Sequence, residues 1–177
     1  VAAVTLAALA APMAGCFRDD PFTYADRPGR YQQAEHLYLA GQWERAKVLF
    51  LDLSVSNAYN EKPFQLEALY YAGRCDHNLG NWGDAVRAYN KVLSSMPYRS
   101  LEIRALVSRA EVNREIQDFQ GAIRDYESAR FLMGTNAGKG LDAQAGDPEM
   151  VHFWLAMSHR NLGNKLTDRD ERTIEFD

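Results

Sequence analysis

The stretch at residues 79–92, which reads LGNWGDAVRAYNKV, decides the fold of this chain. Within it Trp82, Ala85 and Tyr89 are spaced i, i+3 and i+7, so they share one face of a helix. The two aromatic side chains are therefore predicted to pack inward around a small residue, which allows a neighbouring helix to approach closely. This pattern indicates a helical scaffold rather than an active site.

The same spacing occurs twice more. One trio lies 39 residues earlier and another lies 37 residues later, and they are Trp43, Ala46 and Phe50, and Phe119, Ala122 and Tyr126. Each of the three trios follows another helical segment, which has a small residue seven positions before the turn. These small residues and turns are Ala34 and Gly41, Gly73 and Gly80, and Ala110 and Gln117. A fourth copy of this first segment has Ala156 seven positions before Gly163. Two helices in each period of this size indicate a helical repeat protein.

These turn, aromatic and alanine positions resemble the tetratricopeptide repeat (TPR) family. The resemblance covers residues 28–163 and implies an all-α fold, a solenoid of helical hairpins with about three and a half repeats. The third turn carries Gln117 where the family usually has glycine. The spacings exceed the family period of about 34 residues, which predicts extended connections at 54–64 and after Pro97. The predicted helices are 28–40, 43–56, 63–79, 82–95, 100–116, 119–133 and 148–162.

Residues 1–15 carry no charge and are rich in alanine, valine and leucine, which is typical of an export signal. The run is shorter than the roughly 20 residues of a membrane-spanning helix. Ala14, Gly15 and Cys16 resemble a bacterial lipobox, and this resemblance implies that the chain is cut before Cys16, whose thiol then carries a lipid. A plain secretory signal cut after Ala10 and an uncleaved anchor are the alternatives.

Three further segments show no repeat pattern. Residues 16–27 contain proline and polar residues without a helical period and are predicted to form a flexible tether. The glycine-rich connection 134–148 is predicted to be a mobile loop; it lacks the glycine spacing and the Ser or Thr of a phosphate-binding loop. The mostly charged residues 164–177 are predicted to form a solvating cap or tail.

Composition and motifs exclude several functions. The net charge of −4, without a basic stripe, argues against a nucleic-acid partner, and 46% hydrophobic residues exclude wholesale disorder. His152 and His159 have no third ligand nearby, so no metal centre is predicted. No nucleophile motif is present, and Cys75 is predicted to be buried. We therefore expect a protein that is not an enzyme and holds no metal or cofactor.

The TPR resemblance implies a concave groove lined by the first helix of each pair, where partners usually bind. The repeat register predicts that this groove contains Tyr31, Glu35, Tyr70, Arg74, His77, Arg104, Val107, Glu111, Phe153 and Met157. Of the five positions of the carboxylate clamp in chaperone-binding TPRs, only Arg104 is retained. Arg74 and Arg104 remain candidates for holding an acidic side chain. Packing of Tyr70 and Tyr71 between neighbouring helices is the alternative for those two rings.

The functional prediction is a TPR adaptor, tethered to a membrane by its lipid, which binds a protein or peptide in the assembly of an envelope complex. The first repeats resemble the TPR lipoprotein of the β-barrel assembly machinery, a family with about five repeats, through Ala34, Leu37, Gly41, Trp43 and Ala46. The expected location is the bacterial cell envelope, facing the periplasm, and Phe17 after the cysteine favours the outer membrane. The alternatives are a passive structural or peptidoglycan-associated lipoprotein, and a periplasmic ligand-binding protein or enzyme with a TPR shell.

Overall fold

Seven α-helices form within the residues that the computed structural model describes, which are 29–55, 62–134 and 148–174. They are α1 (Gly29–Leu39), α2 (Trp43–Val55), α3 (Lys62–Asn78), α4 (Trp82–Ser94), α5 (Arg99–Glu115), α6 (Phe119–Gly134) and α7 (Pro148–Ile174). These ranges contain no strand, and none of their helices combines the length and apolar content that a membrane crossing requires. The export signal, Cys16, the tether and nearly all of the glycine-rich connection lie outside the described residues.

The helices form three hairpins followed by a single helix. Each helix packs against the next one along the chain, and α3 also contacts α5. The described ranges therefore have the predicted all-α architecture, a solenoid of three and a half helical hairpins. The first six helices begin and end within one residue of the predicted positions, because aromatic and turn residues mark their boundaries.

The three hairpin turns share one backbone conformation. Gly41, Gly80 and Gln117 have positive φ angles of 73°, 76° and 61°. In the third turn the N–H of Gln117 donates to the carbonyl oxygen of Arg114, and the next N–H donates to the carbonyl five residues before it. The same two bonds close the first two turns, and together they form the Schellman motif of helix C-termini. The third turn is thus retained without glycine, although a positive φ costs other residues roughly 1–2 kcal/mol.

The repeated trios lie at the centre of each hairpin. Their alanine and second aromatic residue are completely buried; they are Ala46 and Phe50, Ala85 and Tyr89, and Ala122 and Tyr126. The first aromatic residues, Trp43, Trp82 and Phe119, are half-buried at the hairpin edges. Neighbouring helices share the resulting apolar clusters, so the core runs along the array.

The last helix, α7, is longer than predicted, because it continues through Gly163 to Ile174 instead of ending at residue 162. A glycine inside a helix costs about 1 kcal/mol relative to alanine, which does not by itself end the helix. The Thr167 hydroxyl donates to the carbonyl oxygen of Gly163 at 3.0 Å. Lys165 Nζ donates to the carbonyl oxygen of Gln117 at 3.0 Å, which holds the extension against the third turn. Much of the predicted tail is therefore helical.

The outer face of α7 is polar where the equivalent face of α3 and α5 is apolar. Ala156 is exposed, whereas its repeat equivalents Gly73 and Ala110 are buried against a second helix. His152, the equivalent of the buried Leu69, is also exposed. Terminal units of repeat proteins need a polar outer face for solubility, and α7 has this character within the described array.

Gly73 lies at a close approach of two helices. A methyl group added there would lie 2.9 Å from Cβ of Ala88 and 2.9 Å from Cε1 of Tyr89. We therefore expect Gly73→Ala to lower the free energy of unfolding by about 1–2 kcal/mol, although alanine favours the helix. Gly83→Ala is the matched control, because its methyl group would meet only the guanidinium of Arg87 at 3.6 Å. It should stabilise the protein by up to about 1 kcal/mol.

Urea denaturation followed by circular dichroism measures both glycine variants. A Gly73→Ala protein as stable as Gly83→Ala would contradict the close approach of α3 and α4.

Candidate functional site

The first helices of successive repeats present equivalent positions on one inner face. Eight of the ten predicted groove residues stand three positions before or one position after the small packing residue of their helix. They are Tyr31, Tyr70, Val107 and Phe153, and Glu35, Arg74, Glu111 and Met157. Side-chain hydrogen bonds between α3 and α5 show that such positions meet across neighbouring repeats.

Tyr31, Tyr70 and Arg104 are buried, with exposed fractions of 1%, 2% and 5%. The Tyr31 ring packs edge-on against Phe50, with 5.7 Å between the ring centroids. The Tyr70 hydroxyl oxygen lies 3.2 Å from Oγ of Ser108. The expectation that these three side chains line an open groove is therefore corrected, since they fill the space between helices. Complete burial of large aromatic rings stabilises the fold. Tyr70 therefore packs between neighbouring helices, which was the alternative prediction for its ring.

Arg104 forms a buried ion pair with Glu67. Its NH2 group donates to Oε1 of Glu67 at 2.9 Å, and the two side chains are 5% and 0% exposed. The same NH2 group donates to the hydroxyl of Tyr98 at 3.1 Å, and the guanidinium lies 5.3 Å from the centroid of the Tyr70 ring. Contrary to the prediction from sequence, Arg104 supports the groove from within and is not placed to hold an acidic side chain of a partner.

Arg74 of α3 and Glu111 of α5 meet at the centre of the inner face. The NH1 group of Arg74 donates to Oε2 of Glu111 at 3.3 Å and to Oγ of Ser108 at 3.1 Å. Burial raises the pKa of Glu111, against the opposing effect of the Arg74 charge. Both side chains still reach the groove surface, with exposed fractions of 18% for Arg74 and 33% for Glu111.

His77 lies beside this ion pair. Its Nδ1 atom is 4.0 Å from Oε2 of Glu111, and its ring packs edge-on against Trp82 with 5.6 Å between the ring centroids. Burial lowers the pKa of His77 to about 4, and the positive charges of Arg74 and Arg114 add to the effect. The imidazole is therefore neutral at pH 7 and does not neutralise Glu111.

Arg114 belongs to the same centre, although sequence reasoning did not select it. It follows Ala110 by four positions, as His77 follows its own packing glycine, so the repeat register would have indicated it. Its guanidinium stacks on the Trp154 ring, 3.6 Å from the centroid. The NH2 group lies 3.5 Å from Oε1 of Glu115, and 18% of the Arg114 side chain is exposed.

Tyr89 and Tyr126 approach this centre from the second helices and are completely buried. Burial raises the pKa of both hydroxyls, and the nearby carboxylate of Glu111 acts in the same direction. Within the described residues the Tyr89 hydroxyl and Nδ1 of His77 have no hydrogen-bond partner. The Tyr126 hydroxyl interacts with the Arg114 guanidinium, which lowers the pKa of Tyr126 against the larger effect of burial. The central polar cluster is defined as Arg74, His77, Glu111, Arg114 and the hydroxyls of Tyr89 and Tyr126.

The helix α7 has apolar side chains at the positions that correspond to the groove positions of α3 and α5. Met150, Phe153 and Met157 are spaced i, i+3 and i+7 on one side of the helix and are defined as the α7 apolar stripe. Met150 is 47% exposed, Phe153 is 52% exposed and Met157 is half-buried. The Phe153 ring contacts Trp154, with 4.9 Å between the ring centroids. The inner face is therefore polar on α3 and α5 and apolar on α7.

Two surface clefts lie away from these features. A cleft of about 580 Å³ is lined by Leu93, Glu102, Leu106, Arg109, Glu127, Ser128, Phe131 and Leu132. A cleft of about 460 Å³ is lined by Ser54, Gln65, Leu66, Leu69, Lys91, Ser94, Ser95 and Met96. Neither includes a residue of the central polar cluster or of the α7 apolar stripe, so they form no part of the candidate site.

The described ranges contain no group of three His, Cys, Asp or Glu side chains that could hold a metal ion. Cys75 is buried in α3, as predicted. Burial raises the pKa of its thiol to about 12, so the thiol is protonated at neutral pH and is a poor nucleophile.

Comparison with known proteins supports the fold. Residues 67–97 match the tetratricopeptide repeat family model. No curated protein matches the chain. The crystal structure of PcrH from Pseudomonas aeruginosa is similar with a TM-score of 0.59 and 21% identity, covering 73% of this chain and 89% of that one. PcrH in complex with the chaperone binding region of PopB is similar with a TM-score of 0.54 and 25% identity, covering 67% and 90%. The described part of the chain thus has a TPR-like helical repeat fold, as predicted.

Proposed function

We propose that this protein is a non-enzymatic adaptor that holds an extended segment of a partner protein on its inner face. The observation that carries the proposal is that the central polar cluster adjoins the α7 apolar stripe, because Arg114 stacks on Trp154 and Trp154 contacts Phe153. Repeat proteins bind partners on the concave surface that their first helices line. The complex of PcrH with the chaperone binding region of PopB supports a protein segment as the class of ligand.

The α7 apolar stripe supplies the anchoring surface in this proposal. Phe153 is 52% exposed and Met150 is 47% exposed, so both have apolar area that a partner can cover. Covering a side chain of this size completely contributes about 1.5–3 kcal/mol, and half of that area contributes correspondingly less. The flexible methionine side chains adapt to apolar groups of different shapes, which suits a surface for a segment of variable sequence.

Photo-crosslinking in the native cells tests which face binds. A photoreactive amino acid at position 157, on the inner face, should give an adduct with a discrete protein. The same group in place of Arg124, which is exposed on α6, should not. Phe153→Ala combined with Met150→Ala should weaken the inner adduct about tenfold, whereas Phe131→Ala, at a 72% exposed position of α6, should leave it unchanged.

The outcomes of crosslinking separate the alternatives. A protein adduct formed only from position 124 would contradict the use of the inner face. Adducts with peptidoglycan alone would support a passive structural lipoprotein, and the absence of any macromolecular adduct, together with a thermal shift caused by a metabolite, would support a ligand-binding shell.

We also propose that a lipid on Cys16 tethers the adaptor to the bacterial envelope, facing the periplasm at the outer membrane. This rests on the lipobox resemblance in the sequence. Two or more acyl chains hold a protein stably, because each buried methylene contributes about 0.8 kcal/mol. Cys16→Ser should therefore move the protein from the membrane fraction to the soluble fraction or leave it unprocessed. Wild-type protein of unlipidated mass, with the variant still in the membrane fraction, would refute the tether.

A second candidate function is a chaperone that keeps a segment of its partner unfolded before assembly. The similarity to PcrH, which is solved with a chaperone binding region, favours it. A chaperone should release its partner once the partner's own complex is assembled, whereas an adaptor should stay bound in that complex. An adduct from position 157 that forms only before the partner assembles would support the chaperone, and one that also forms in the assembled complex would support the adaptor.

A further inference from the structure

We infer that one edge of the helical array contacts the lipid surface of the membrane. This edge is where α2, α4 and α6 end and where α1, α3 and α5 begin, and it is defined as the tether edge. It has three exposed apolar side chains, Val55, Met96 and Phe131. The contact rests on the proposed function, because it depends on the lipid proposed for Cys16 and describes how the tethered domain meets the membrane.

The helix ends meet at the tether edge because the hairpins stack side by side. In the first hairpin, NH1 of Arg30 in the first turn of α1 lies 2.9 Å from Oδ2 of Asp52 in the last turn of α2. The cleft of about 460 Å³ is lined by the ends of α2 and α4 and by the first half of α3. The cleft of about 580 Å³ is lined by the ends of α4 and α6 and by the first half of α5. Both clefts therefore open at the tether edge.

Exposed apolar side chains stand beside these clefts. Val55 is 70% exposed, Met96 is 92% exposed and Phe131 is 72% exposed. Val55 and Phe131 have the same repeat position, in the last turns of α2 and α6, and Met96 follows the end of α4. Leucine side chains, among them Leu66 and Leu93, line the clefts, so apolar surface also lies between the protruding residues. Exposed apolar patches of this kind indicate a surface that contacts a partner or a membrane.

The chain joins the domain at the same edge, which favours the membrane over a protein partner. The 13 peptide steps from Cys16 to Gly29, the first residue of α1, span up to about 47 Å, which is enough for this edge to rest on the bilayer. The opposite edge has the hairpin turns and lies about 20–25 Å away along the helix axes. A lipid on Cys16 therefore brings the tether edge closest to the bilayer and leaves the hairpin turns pointing away from it.

The side chains that line the two clefts include equal numbers of basic and acidic residues. Lys91 and Arg109 are the basic ones, and Glu102 and Glu127 are the acidic ones. A surface that mixes apolar and charged groups suits the boundary between headgroups and acyl chains, where apolar side chains are buried by roughly 5–10 Å. Because the opposite charges balance, the contact should depend on the apolar side chains and should change little with salt.

Photo-crosslinking to lipid in the native cells tests the contact on the full chain. A photoreactive amino acid at position 131 or 96 should form adducts with membrane phospholipids, which the mass of the adduct identifies. Position 39 is the matched control, because Leu39 is 82% exposed and ends α1 at the edge of the hairpin turns. Phospholipid adducts from position 131 should exceed those from position 39 at least about tenfold. Membranes washed in about 1 M salt before illumination should give the same adducts.

A substitution shows whether the exposed side chains act together. Phe131→Ser should lower the phospholipid adducts from position 96 at least about threefold, because one apolar side chain no longer enters the bilayer. Leu39→Ser removes an equally exposed apolar side chain from the opposite edge and should leave these adducts unchanged. Melting temperatures confirm that both variants are folded.

The mass of the protein separates the failure of this contact from the failure of the tether. If the mass shows a lipid on Cys16, then equal phospholipid adducts from positions 131 and 39, or none from either, would overturn the contact and leave the tether intact. Adducts of position 131 with a protein, including a second copy of this chain, would overturn it in favour of a protein interface. An unlipidated mass would refute the tether, and phospholipid adducts from position 131 would then support the contact or, by their absence, overturn it. Crosslinking from position 157 decides the adaptor function separately.

Discussion

Replacing Arg104 with methionine is expected to lower the free energy of unfolding by about 3–5 kcal/mol. The variant would leave the carboxylate of Glu67, which is 0% exposed, without the guanidinium that lies 2.9 Å from it. A buried charge without its partner is among the most destabilising changes in a protein, and small domains have only about 5–15 kcal/mol in total. Thermal melting and urea denaturation of the purified protein measure the loss.

A second substitution shows whether the loss of stability comes from the charge of Glu67 once the Arg104 guanidinium is removed. Adding Glu67→Leu to Arg104→Met removes both members of the pair, and apolar replacement of a buried ion pair is often neutral. We expect the double variant to recover most of the stability that the single variant loses. Arg87→Met is the surface control, because its side chain is 75% exposed and pairs with Asp84; it should change stability by less than about 0.5 kcal/mol. An Arg104→Met protein as stable as Arg87→Met would contradict the structural role of the buried pair.

Acidification from pH 7 to pH 4 is expected to destabilise the folded protein through His77. Burial lowers its pKa to about 4 in the folded protein, against 6.5 for an exposed histidine, so between these values the unfolded chain binds a proton that the folded chain does not. Stability is therefore present above pH 6.5 and is lost as the pH falls towards 4. The difference corresponds to at most about 3 kcal/mol.

Glu111 acts in the opposite direction, because its pKa is raised in the folded state and it gains a proton before the unfolded chain does. Comparing the wild type with His77→Gln isolates the histidine, since both proteins contain Glu111. The free energy of unfolding of the wild type should fall more steeply between pH 6.5 and pH 4 than that of the variant. Parallel pH profiles would show that His77 is not held neutral by its surroundings.

The repeat pattern predicted the hairpins well because the same residues recur where the physical demand recurs. Gly41 and Gly80 adopt the positive φ that a tight turn requires, and Gln117 adopts it as well in a turn that the same two backbone hydrogen bonds close. Gly163 has the same position in the pattern and yet continues a helix. A glycine permits a turn without requiring one, so the local sequence did not distinguish these two outcomes.

The candidate site was predicted less completely than the fold. The repeat register shows on which face of its helix a residue lies, but it does not show whether neighbouring helices bury the side chain. Arg104 has the right register and is nevertheless buried by its pairing with Glu67. That partner stands one repeat earlier, 37 residues away, and Arg74 and Glu111 are separated by the same interval. Oppositely charged residues separated by one repeat period therefore indicate contacts between the first helices of neighbouring repeats. No such signal pointed to the buried hydroxyls of Tyr89 and Tyr126, because their environment depends on the packing of several helices.

The two ion pairs between α3 and α5 have a mechanical consequence for association. The Arg104–Glu67 pair is buried between the two helices, and the Arg74–Glu111 pair lies at the groove surface. Together they fix the distance between α3 and α5 in the absence of a ligand. The loss of conformational freedom on binding then falls mainly on the segment, at roughly 0.5–1.5 kcal/mol for each immobilised flexible side chain. A segment that is already stiff in its bound conformation, through proline or cyclisation, should consequently bind more tightly than a flexible one with the same side chains.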